Sequence, residues 1–188
     1  MVATTDQKVR WTRSDLELLP DNGSRYEIID GDLYVTHAPH WNHQRVITRL
    51  CHALTGWSLE NNCGEVITTP GFIFSDEDNV IPDLIWMSDA RRDACLDASG
   101  HCTEASELVV EVLSQTSKDI KRDRQVKLKL YSRVGVQEYW IVDWQQKTVE
   151  IYRRSQARLV LEFTLFAEDD LTSPLFAGFS LKVASIFE

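Results

Sequence analysis

The chain has 188 residues, 43% of them hydrophobic and 26% charged, with a formal net charge of −9. That length supplies one good-sized core, and no Gly/Ser/Pro-rich stretch divides it. The acidic balance excludes a generally basic coat, so any binding to nucleic acid requires a local patch.

Residues 1–10 are polar and read as a frayed terminus, which leaves 11–188 as a single domain. Thr12 followed by Asp15 caps a short helix from Arg13 to Leu19, stopped by Pro20 and the Asp21-Asn22-Gly23 turn. Two β-rich runs, Arg25 to Ile29 and Leu33 to Thr36, flank Asp30-Gly31-Asp32, which predicts a hairpin with Glu27 in its first strand. Asn42 is placed to cap a helix from His43 to about Leu59. At ~100° per residue, Val46, Ile47, Leu50, Leu54 and Trp57 form its apolar stripe, with His43 near the stripe axis.

Glu65 to Phe74 is a β-rich run, and Ser75 to Asn79 an acidic turn. Val80-Ile81-Pro82-Asp83-Leu84-Ile85-Trp86-Met87 then reads as a buried strand whose one charge is Asp83. Ser88 to Ser106 reads as an irregular helix-and-loop connection. Leu108 to Ser114 is a second buried strand with one carboxylate, Glu111, in its middle. The helix expected from Ser117 to Val134 has an apolar stripe through Ile120, Tyr131 and Val134, and ~100° steps put Lys127 in the middle of it. The same arithmetic sends Lys118, Lys121, Arg122, Lys129 and Arg133 towards solvent or a partner. Gly135 ends that helix. Glu138 to Asp143, Thr148 to Arg153 and Leu159 to Phe166 follow as strands, and Leu175 to Leu181 returns apolar surface to the body. This order gives an α/β (α+β) protein with a mixed sheet and helices packed on it. The crossover helix between the Glu111 and Glu138 strands implies a parallel pair there.

The two buried carboxylates carry the chemistry. If their strands are neighbours, Asp83 and Glu111 meet in one low-dielectric site, and a divalent metal is the natural way to keep both ionised. Hard oxygen ligands suit Mg²⁺ or Mn²⁺, with the Val112 carbonyl as a further ligand. Lys127 would position or activate an attacking water, or offset charge on a phosphate; the bland alternative is a snorkelling lysine. Glu27 and His43 are weaker candidates: a hairpin glutamate is usually a solvated face, and a lone histidine on an apolar stripe is more often a satisfied core residue. His37, His40 and His43 could be read as zinc ligands, but Pro39 interrupts any common helix face. No G-x-S-x-G, Walker-type or G-x-G-x-x-G motif is present. Cys51, Cys63, Cys95 and Cys102 lack C-x-x-C spacing and read as free thiols in a reducing compartment. No apolar run approaches the ~20 residues of a membrane span, and no signal-peptide core opens the chain, so a cytoplasmic location without a membrane partner is expected.

Pro82-Asp83 followed by Glu111-Val112-Leu113 in the next core strand resembles the PD-(D/E)XK nuclease superfamily, of restriction-endonuclease-like fold. Leu113 stands where that motif places lysine. Some branches carry the lysine on the following helix, where Lys127 lies. The chain is most similar to the Uma-two-type endonuclease branch, formerly a domain of unknown function, from Trp11 almost to Phe187. The shared pieces include Tyr26-Glu27-Ile28-Ile29-Asp30-Gly31, Ala38-Pro39 with His43, Pro82-Asp83-Leu84 and Val110 to Ser114. They continue through Asp123 with Lys127 and Tyr131, then Gly135-Val136, Glu138 to Asp143 and Gly178-Phe179. The resemblance implies an αβββαβ core with an extra N-terminal hairpin and C-terminal strands. It implies a Mg²⁺-dependent DNA endonuclease with Asp83 and Glu111 as metal ligands, Lys127 as catalytic lysine, Glu27 as accessory acid and His43 as an active-site neighbour. A homodimer is the implied assembly. The alternatives are a non-catalytic DNA-binding or assembly module on the same fold and, more distantly, a hydrolase of small phosphoesters.

Overall fold

A computed structural model describes residues 9–188; residues 1–8 of the stretch expected to fray lie outside the described residues. Arg10, at its end, donates from Nε to Glu77 at 2.9 Å. The first helix, α1 (Arg13–Leu16), is held at its start by the Asp15 carboxylate, which accepts from the Thr12 amide at 2.8 Å. It ends before the expected Leu19 because Leu18 is 83% exposed and gives a further turn nothing to pack against. Strands β1 (Arg25–Ile29) and β2 (Asp32–Thr36) form the expected hairpin. Asp30 and Gly31 turn it with positive φ at both positions (50° and 73°), the conformation that matches strand twist in a two-residue hairpin.

Helix α2 (Trp41–Asn61) starts earlier than expected. His40, not Asn42, is its cap: the His40 Nδ1 accepts from the Asn42 amide at 3.1 Å. Its stripe of Val46, Ile47, Leu50 and Leu54 is buried as the periodicity requires. The β-rich run after it is two strands, β3 (Glu65–Thr68) and β4 (Phe72–Ser75). Thr69, at φ 53°, and Pro70 break the run, and its halves enter different sheets. β5 (Asp78–Val80) and β6 (Leu84–Met87) are separated by Ile81-Pro82-Asp83, so Asp83 stands just before its strand.

After α3 (Asp89–Cys95) comes β7 (Leu108–Val112). The long helix is α4 (Ser117–Lys121), a π-helical stretch (Arg122–Lys127) and α5 (Leu128–Val134), closed by Gly135 at φ 102°. Strands β8 (Glu138–Asp143), β9 (Thr148–Ser155) and β10 (Arg158–Leu165) follow, then a short pair β11 (Asp170–Leu171) and β12 (Leu181–Lys182), and α6 (Val183–Phe187).

The main sheet has the order β10-β9-β8-β7-β6-β3, and a smaller sheet the order β2-β1-β5-β4. Only β7 and β8 pair in parallel among the described strands, as the intervening helix implied. Period-two alternation sorts the main sheet into two cores. Leu84, Trp86, Leu108, Val110, Val112, Trp140 and Val142 face α2 and the C-terminal segment with Phe176, Phe179 and Ile186. Ile85, Met87, Val109, Tyr139 and Ile141 face the opposite way, towards α5 and the smaller sheet. The four cysteines are free.

The turn from α2 into β3 depends on Gly64. Its φ is +63°, and a Cβ there would lie 2.5 Å from the Met87 carbonyl oxygen and 2.6 Å from the Trp86 ring. Gly64→Ala is therefore expected to destabilise the fold by about 3 kcal/mol, read as a lower urea midpoint with an unchanged slope. A midpoint equal to wild type would show that this junction relaxes freely.

Candidate active site

The register of the main sheet brings the two strand acids together. β6 and β7 pair antiparallel with Leu84 opposite Val110 and Ile85 opposite Val109. One step further along that register sets Asp83 opposite Glu111. Both odd-numbered residues point away from the Leu84–Val110–Val112 core, towards the helix that carries Lys127. The strands are thus neighbours, and both carboxylates are buried.

Lys127 reaches them from the helix. Its Nζ lies 2.8 Å from Glu111 Oε1 and 2.9 Å from Glu27 Oε1. At 1% exposure it cannot snorkel to water, which removes the bland reading. Tyr131, one turn on, donates its hydroxyl to the same Glu111 oxygen at 2.8 Å. Glu27 also accepts from the Ile81 amide at 2.9 Å, so β1 is tied both to the loop before Asp83 and to the lysine.

Arg122 departs from its expected outward position. In a continuous α-helix, residues five apart differ by ~140° around the axis, which turned Arg122 away from Lys127. The π-helical stretch holds one extra residue per turn and brings the two cations round to the same side. Arg122 is accordingly buried, with Nε 2.8 Å from Asp123 Oδ1, and Nη1 3.2 Å from Asp119 and 3.9 Å from Glu27. Periodicity carries no signal for such an insertion.

Asp83 is held by three donors. The Val112 amide donates to Oδ2 at 2.9 Å, His43 Nε2 lies 3.2 Å from the same oxygen, and Arg25 Nη1 lies 3.3 Å from Oδ1. His43 Nδ1 also lies 3.1 Å from Gln44 Oε1. Burial works against the charged His43, but Asp83 outweighs it and raises the imidazole. Burial likewise works against the Asp83 carboxylate, and the hydrogen bond and charge of His43, the charge of Lys127 and the Val112 amide hold it down at about 2. Arg25 shares a strand face with Glu27, so alternation could have found it; Tyr131 lay on the expected stripe without an assigned role.

Four buried carboxyls, Glu27, Asp83, Glu111 and Asp123, share this end of the sheet with the buried cations Lys127 and Arg122 and with His43. These four carboxyls face Lys127, Arg122 and His43, with Arg25 also reaching Asp83. Burial pushes the Glu111 carboxyl up to about 8; Lys127 pulls against this, while Asp83, Asp123 and Glu27 add to it. Glu111, Asp83 and Val112 line a pocket of about 320 Å³ that Arg25, His43 and Lys127 also line. Among the described residues, no group of three or more His, Cys, Asp or Glu side chains converges as a metal cage. His37 and His40 line the same pocket but are otherwise engaged. His37 Nδ1 lies 3.2 Å from Ser24 Oγ, and the His40 ring stacks on Trp144 at 4.7 Å. Among the described residues, these histidines do not converge with other ligands into a zinc cage. A hard cation that binds through one or two carboxylates and keeps its waters does fit the donor set.

The family model Uma2, described as "Putative restriction endonuclease", matches residues 13–184. The chain is similar to the crystal structure of "a putative nuclease belonging to DUF820" from Anabaena variabilis. The TM-score is 0.75 at 18% identity, over 94% of this chain and 97% of that one, which shows a common fold. It also matches part of the type IIG restriction endonuclease BpuSI, with a TM-score of 0.43 at 15% identity. That match covers 81% of this chain and 16% of that one. No curated protein matches the sequence.

Removing Arg122 would leave Asp123 and Glu27 with less compensation in a dry environment. Arg122→Met is expected to cost about 3 kcal/mol of stability, with Arg122→Lys recovering part of it, both measured by equilibrium denaturation. A neutral Arg122→Met would mean that these acids carry no charge in the folded state.

Proposed function

Because the chain belongs to the Uma2 family, we propose that it is a divalent-metal-dependent endonuclease that hydrolyses DNA phosphodiester bonds by attack of water. The observation that carries the reading is the juxtaposition of two buried carboxyls, Asp83 and Glu111, on the wall of one pocket beside Lys127. Mg²⁺ or Mn²⁺ would be held by Asp83, Glu111 and the Val112 carbonyl. When bound, the ion supplies Lewis-acid polarisation of the phosphate and lowers the pKa of water.

The chain's own residues have separate tasks in this scheme. Burial would discharge the Lys127 ammonium, but Glu111 and Glu27 keep it protonated. It therefore acts as a fixed positive charge against the negative charge that builds on the phosphate, and not as a proton acceptor. Glu27 orients that ammonium from the β1 side. His43 and the Val112 amide orient Asp83, leaving its carboxylate ionised. Tyr131 restricts Glu111 to one rotamer by hydrogen bonding. Arg25, at the pocket wall, adds a cation where a phosphate would enter.

A second reading, a non-catalytic DNA-binding or assembly module, is favoured by the net charge of −9. Incubation of supercoiled plasmid with Mg²⁺ or Mn²⁺ separates the two. Wild type is expected to nick or linearise the plasmid, and Glu111→Ala to do neither. Lys127→Met is expected to retain Mn²⁺ affinity by calorimetric titration while its turnover falls on the order of 100-fold or more. Wild type that neither binds metal nor cleaves would favour the module. A fully active Lys127→Met enzyme would remove the lysine from the mechanism.

A further inference from the structure

A second cavity, of about 430 Å³, adjoins the first and shares two wall residues with it, Gln115 and Trp144. Its chemistry is different. The polar side chains around it are Asn42, Arg45, Gln115, Gln145 and Lys147, and no Asp or Glu among the described residues lines it. On a protein of net charge −9, this is a local basic and amide-rich basin. Its cations are under-used. Lys147 makes no ion pair with a described residue, and Arg45 makes none either. Arg45 donates Nη2 to the Phe187 carbonyl at 2.8 Å, while its buried Nε has no hydrogen-bond partner among the described residues. Arg45 thus lines the basin with its charge uncompensated by a described carboxylate.

The wall between the cavities is fixed. Trp144 stacks on His40 with rings 4.7 Å apart and 8° from parallel, and its Nε1 donates to the Leu113 carbonyl at 3.0 Å. Asp143 accepts from the Gln145 and Gln146 amides, both at 3.0 Å, and so holds the turn that presents Lys147 in the left-handed conformation, φ 55°.

We infer that the basin of Arg45 and Lys147 binds a backbone phosphate of the DNA strand, adjacent to the one in the Asp83–Glu111 pocket, with Trp144 as the divider between them. The amides of Asn42, Gln115 and Gln145 add neutral donors around the same oxygens, and the contact carries no base information. The basin thus gives the protein its local basic patch and sets the register of the strand across the catalytic pocket. The assignment rests on the nuclease reading for the identity of the ligand.

The test is fluorescence anisotropy of a short labelled DNA duplex, without divalent metal so that no cleavage occurs, as a function of salt. Lys147→Gln and Arg45→Gln are each expected to weaken binding several-fold and to reduce the slope of log affinity against log salt by about one. Lys147 is exposed, so its variant keeps the fold if Arg45→Gln does not. Arg158→Gln, on the edge strand β10, removes the same charge elsewhere and is expected to leave the slope unchanged. Wild-type slope and affinity in Lys147→Gln would overturn the basin while leaving the nuclease reading intact. An equal loss in Arg158→Gln would also overturn it, since the effect would then be one of net charge. Failure of wild type to bind the duplex at any salt, together with no plasmid cleavage, would remove both.

Discussion

The Lys127 ammonium, shared between Glu27 and Glu111, is the contact on which the rest of the arrangement depends. A charged amine at that depth is tolerable only with anions in direct contact, and each of those anions is tolerable only with the amine. This mutual requirement joins three elements that packing alone would leave free to slide: the hairpin strand β1, the central strand β7 and the crossover helix. Replacement of such a network by apolar side chains is often neutral or stabilising in other proteins. What the charges secure here is position, because each of the three can satisfy its neighbours in only one alignment.

The same constraint explains the interruption of helical geometry. A regular helix could offer Lys127 or Arg122 to the site, but not both. The π-helical stretch spans those two residues, with Asp123 inside it, and then returns to α-geometry in time for Tyr131 to reach Glu111. The helix gives up regular geometry over six residues and gains a second buried cation at a site crowded with carboxyls.

Much of this was legible in the sequence because it followed simple periods. Alternation and β-branched composition located β7, β8 and β9, and a lone acid in each of two apolar runs pointed to Asp83 and Glu111. The ~100° stripe found the buried face of α2 and put Lys127 on the inward side. What was not legible depended on contacts between distant segments. Arg122 turned inward through a local change of helical register that no residue type announces. The run from Glu65 to Phe74 divided between two sheets, since only the presence of a second sheet makes the bend at Thr69-Pro70 useful. His40 took the cap from Asn42 because its ring is held in place by Trp144, about a hundred positions away in the chain. The matching family model and the shared fold agree with the motif resemblance carried by Pro82-Asp83 and Glu111.

The placement of the lysine on a helix also orders events during synthesis. In a strand-borne arrangement, acid and lysine would emerge from the ribosome almost together. Here the pocket is assembled from Glu27, His43, Asp83, Glu111 and Lys127, and Glu111 has its hydrogen-bonding partners only once Tyr131 has been made and the crossover helix has docked. The parallel partner β8 lies later still, and until it is added β7 is an edge strand. A nascent chain that stops short of the crossover helix therefore holds Glu27, Asp83 and Glu111 without their lysine. The charge balance of the pocket is thus completed only when the crossover helix docks, late in the order of synthesis.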